Sequence, residues 1–161
     1  MPAPANDTTE EALMRRFLPL ADHPFELLFG VIAALGGAVL VVSGAAPASI
    51  NATLPIVVVR AWGIVQAAAG ALIVSGIITR YWRPALLLLG LRLERAGLWP
   101  LAAACAVYAV VAVVHAGPRA MYPGGVLMVI AAACVARARA VSRLEATIRK
   151  YVGGDGWRVS G

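Results

Sequence analysis

Six side chains could do chemistry in an otherwise apolar chain: Glu26, Arg60, Gln66, Cys105, His115 and Cys134. Arg60 lies about five residues into the apolar run 54–79, next to Trp62, a place from which a guanidinium can reach headgroups while its stem stays in hydrocarbon. The same charge could instead line a pore or pair with an acid. Gln66 lies about one and a half turns deeper and is the single amide inside an apolar run, able to bridge helices by hydrogen bonding or to face water in a channel. Glu26 follows Asp22, His23 and Pro24. An acidic N-cap, a first-turn proline and a carboxylate at the positive helix end make an ordinary helix start, whereas proton-coupled export needs its carboxylate near the bilayer midplane. His115 has no acidic or metal-ligating neighbour. Cys105 and Cys134 lack C-x-x-C or zinc spacing and read as small apolar side chains.

No known catalytic pattern can be assembled from these groups. Thiol oxidoreduction, di-iron chemistry and intramembrane proteolysis each need a cluster that is missing, and no phosphate-binding loop, dinucleotide fingerprint or zinc knuckle occurs. The expectation is a protein that is not an enzyme, with no catalytic or metal-binding residue and no cofactor.

The elements that must position these residues are four long apolar runs: 25–46, 54–79, 98–116 and 120–136. Crossing the roughly 30 Å hydrocarbon core takes about 20 mostly apolar residues, so these lengths predict four transmembrane helices joined by short loops. Composition agrees: 61% of the 161 residues are hydrophobic and only 14% are charged, against about 25% in soluble domains. The expected fold is an all-α polytopic membrane protein with a four-helix transmembrane domain over 22–136. An amphipathic segment over 1–21 precedes it and a basic helix and tail over 137–161 follow.

Charge sets the expected orientation. Of the 14 basic residues, Arg60 lies inside a run and Arg119 on one side; the other twelve flank the opposite side, including Arg80, Arg83, Arg92, Arg95 and the group from Arg137 onward. The positive-inside rule therefore predicts both termini and the 80–95 segment in the cytoplasm, in a bacterial inner membrane. The net charge of +6 is spread beside the runs, which points to anionic lipid headgroups and not to nucleic acid.

Around the runs, Thr8-x-x-Glu11 reads as a capping box opening a short helix, and 84–96 as a second amphipathic segment lying on the membrane with Arg92, Glu94 and Arg95 exposed. Asn51-Ala-Thr53 matches a glycosylation triplet, but it lies close to the membrane and matters only in a eukaryotic source. From Arg137 the fourth helix is expected to continue unbroken to Gly153-Gly154, with Glu145 and Arg149 in i,i+4 register. Its narrow stripe of Val141, Leu144, Ile148 and Tyr151 suits a partner helix or lipid headgroups.

Small residues mark the contact faces. Gly30, Ala34 and Gly37 share one face of the first run, and Gly63, Ala67 and Gly70 one face of the second. Helices in lipid associate where such residues let backbones approach, so these stripes predict packing of the two helices on each other or on further copies. The format is similar to that of small phage lysis proteins of the holin type and of auxiliary subunits of bacterial membrane complexes. Two functions follow as expectations: a self-associating, holin-like pore with Arg60 and Gln66 on its lining, or a non-catalytic accessory subunit that docks a partner membrane protein.

Overall fold

The computed structural model describes residues 23–44 and 55–154, the last four as backbone only; the expected helix after Thr8, the Asn51 connection and the tail from Asp155 onward lie outside the described residues. The described chain is all-helical, without strands. Four long helices run in sequence: α1 (Pro24–Ser43), α2 (Ile56–Trp82), α3 (Leu87–Ala116) and α4 (Met121–Gly154). Short 3-10 turns, Pro84–Leu86 and Gly117–Ala120, join α2 to α3 and α3 to α4.

Local chemistry sets the ends. Pro24 occupies the first turn of α1, where its missing donor costs nothing, and Glu26 sits in the same turn. His23, and not Asp22, stands at the N-cap position, and it makes no side-chain capping bond. At the other end Gly44, with φ of +62°, returns its N–H to the Leu40 carbonyl, a left-handed stop that only glycine adopts without strain.

Three helical stretches are long and apolar enough to cross a membrane: Pro24–Ser43, Ile56–Trp82 and the 67-residue run Pro84–Lys150. The expected count of four spans is thus not confirmed by this measure, because only a turn of 3-10 helix separates α3 from α4 and the helical run continues through it. That run nevertheless folds back on itself. Arg92 near its start reaches Glu145 near its end.

The segment 84–96 differs from expectation for a physical reason. Only Pro84–Leu86 forms a separate turn; Leu87 onward is the first third of α3, and Glu94 is fully buried instead of exposed. A membrane-surface helix and the start of a long packed helix share the same amphipathic spacing, so periodicity could not separate them.

Successive helices pack side by side, α1 on α2, α2 on α3 and α3 on α4, while the α1 and α4 backbones do not approach closely. Two glycine seams bring backbones into contact. A side-chain carbon on Gly37 would lie 2.5 Å from the Gly63 carbonyl, and one on Gly70 would collide with Gly30 and Ala34. Between α2 and α3, a carbon on Gly76 would sit 2.5 Å from the Glu94 nitrogen and one on Gly97 2.5 Å from the Ala69 carbonyl. Ala33, Ile73, Ile77, Leu98, Leu101, Cys105 and Cys134 fill the core beneath these seams, both cysteines being free thiols.

Candidate functional site

The charged groups gather at one end of the bundle, where α1 and α3 begin and α2 ends. Gly76 and Gly90 let α3 approach α2 so closely that the Glu94 side chain enters the helix interface next to Arg80, one turn further along α2. Glu94 accepts from Arg80 Nη1 at 3.3 Å through one carboxylate oxygen and from Arg137 Nε at 2.9 Å through the other. One buried carboxylate thereby joins α2, α3 and α4. Burying ions costs several kcal/mol each, and only paired geometry of this kind offsets it.

Arg137 extends the network to α1. Its Nε lies 3.6 Å from Glu26 and its Nη2 3.4 Å from His23 Nδ1. The same imidazole nitrogen lies 3.6 Å from Glu26, so His23 sits between the carboxylate and the guanidinium. The His23 ring meets Tyr81 edge-on at 6.2 Å, and Arg80 stacks over Tyr81 at 5.1 Å from the ring centre. Glu26 is therefore both a first-turn acid and a bridge to the last helix.

A second cluster lies further out. Glu145, buried on the α4 extension, pairs with Arg92 and Arg95 of α3 at 3.0 Å each, and with Arg149 one turn along its own helix. Burial alone would raise the Glu145 carboxyl, but hydrogen bonds from Arg92 and Arg149 and the charges of Arg149 and Arg95 hold it below the usual range. The three guanidinium groups remain substantially exposed, at 54% for Arg92, 39% for Arg95 and 55% for Arg149. A single carboxylate thus fixes three cations on a surface that keeps a positive excess.

The residues singled out from sequence fall elsewhere. Arg60 is exposed near the opposite end, its Nε beside Gly44 at the C-terminus of α1, where a cation is favoured by the helix dipole. Gln66 is half-buried and faces a cavity with Trp62, with no hydrogen-bond partner among the described residues. The structure does not bring Arg60 and Gln66 onto one lining. Gly30, Ala34, Gly37, Gly63, Ala67 and Gly70 meet one another within a single chain. His115 is exposed at the end of α3. Among the described residues no group of three or more His, Cys, Asp or Glu could hold a metal ion.

Sequence reasoning passed over Arg80, Glu94, Arg137 and Glu145 as a set. A usable signal existed: acids are scarce in this chain, eight against 14 basic residues, and Glu94 and Glu145 both lie among arginines. Compared with known proteins, the chain matches no family model, no curated protein and no solved structure.

Proposed function

We propose that the chain is a non-catalytic accessory subunit of a membrane protein complex. It crosses a bacterial cytoplasmic membrane four times, α3 and α4 each spanning once, with both termini and the charged end inside. The carrying observation is the Glu145 cluster, in which one buried carboxylate locks the α4 extension onto α3 and presents Arg92, Arg95 and Arg149 on a fixed surface. Immobilised arginines suit recognition of a partner's carboxylates, because the ordering entropy of those side chains is already spent before docking. Anionic headgroups at the rim favour the same orientation.

The holin-like alternative draws less support. Its pore would need Arg60 and Gln66 on a shared lining, and its assembly would use small-residue faces that this fold already occupies between α1 and α2. Induced expression tested with a potential-sensitive dye separates the two readings. The accessory reading expects an intact membrane potential and continued growth; prompt depolarisation with growth arrest would replace it with the pore. A periplasm-active reporter fused to Gly161 tests the orientation, with no activity expected.

A further inference from the structure

The α1–α4 seam holds a cavity of about 690 Å³ toward the end opposite the charges, walled by Gly36 of α1, Trp62 and Gln66 of α2, Tyr108 of α3, and Tyr122 and Val126 of α4. Its size falls in the range of small-molecule sites, and its walls are apolar with a few polar groups, as such sites are. Because α1 and α4 do not pack backbone to backbone, a molecule dissolved in the bilayer can enter between them.

Depth narrows the ligand class. Gln66 lies ten residues along α2 from Ile56, about 15 Å at 1.5 Å per residue, which is near the middle of a roughly 30 Å core. Phospholipid headgroups stay at the boundary and cannot meet an amide at that depth. The amide has no partner among the described residues, so a ligand that satisfies it must carry its hydrogen-bonding group into the hydrocarbon. One turn nearer the membrane surface, Trp62 meets Tyr108 edge-on at 6.4 Å and 62°, an aromatic wall suited to a flat ring.

We propose that this cavity binds a lipid-soluble quinone, its ring beside Trp62 and Tyr108, one ring carbonyl accepting from the Gln66 amide, and its isoprenoid tail leaving through the α1–α4 seam. Binding alone is assigned. The site is independent of the accessory-subunit reading, which stands or falls on membrane potential and topology.

The test uses the full chain in nanodiscs of synthetic phospholipid, titrated with a short-tailed benzoquinone. Fluorescence is read from Trp62 after replacing Trp82, Trp99 and Trp157 by Phe, and equilibrium dialysis of the quinone against the unsubstituted protein repeats the measurement without those changes. Saturable quenching and binding are expected. Gly36→Phe, at a position where an added carbon has nothing within 4 Å, should fill the cavity and abolish the saturable component while helicity and elution volume persist. Gln66→Leu should weaken binding by about two- to tenfold, the worth of one hydrogen bond. Linear, variant-independent uptake would show mere partitioning into lipid and overturn the proposal. So would unchanged affinity in Gln66→Leu, or equal competition by a simple alkane, either of which would make the cavity a bed for any acyl chain.

Discussion

Helix α1 has two neighbours and is held to each by different physics. Against α2 it is zipped along its length, Gly30, Ala34 and Gly37 meeting Gly63, Ala67 and Gly70 with backbones in contact. Toward α4 it leaves a seam with two cavities, the larger near Trp62 and a second of about 410 Å³ near Phe29, and the connection is polar: Arg137 reaching Glu26 and His23 at one end. Lipid tails are as apolar as leucine, so in a bilayer bulky apolar faces gain little by meeting each other, whereas backbone proximity or a polar contact does hold helices together. The first device gives a closed seam. The second ties one end and leaves the rest open to the bilayer.

Breaking the polar device should cost most. Glu94→Gln leaves Arg80 and Arg137 without their shared carboxylate and should destabilise the bundle by about 3–5 kcal/mol, read as a lowered midpoint in denaturing-detergent titration. Gly37→Leu attacks the zipped seam, pressing a side chain into the α2 backbone at a cost of about 1–3 kcal/mol, and should separate α1 from α2 while the α3–α4 hairpin persists. Its neighbour sharpens the contrast: Gly36→Leu points into open space and should change the same midpoint by less than about 0.5 kcal/mol.

Acid should act at the Glu145 cluster. Its folded carboxyl is held low, so the stabilisation is present above the ordinary carboxylate range and fades as pH falls through the depressed value. Spin labels at Ala96 and Ala146 should report a widening of the α3–α4 end on acidification, and Glu145→Gln should remove that pH response. The smallest effect belongs to Arg60. As a headgroup anchor beside the α1 C-terminus it should tolerate Lys with membrane insertion and stability unchanged within about 0.5 kcal/mol.

The difference between the two seams also explains what could be read in advance. Small residues at i, i+4 and i+7 are a local pattern, so the faces of α1 and α2 stand out in sequence, although only the fold shows that they meet within one chain. Glu145 with Arg149 is equally local, one helical turn apart. Glu94 is the opposite case: its partners Arg80 and Arg137 are 14 and 43 residues away, and its burial depends on Gly76 and Gly90 admitting α3 to α2. Nothing in the amphipathic spacing of 84–96 distinguishes that outcome from a helix on the membrane surface. Gln66 was visible as a lone amide, but the cavity it faces comes from three other helices.

Distances between spin labels across the two seams test most directly whether α1 is zipped to α2 and merely tied to α4. With Cys105 and Cys134 replaced by Ala, one pair would join Leu35 to Ile64 and another Leu35 to Val129, all exposed sites. Arg137→Gln should broaden and lengthen the α1–α4 distribution while leaving the α1–α2 distribution unchanged. Equal broadening of both, or no change in either, would contradict the account.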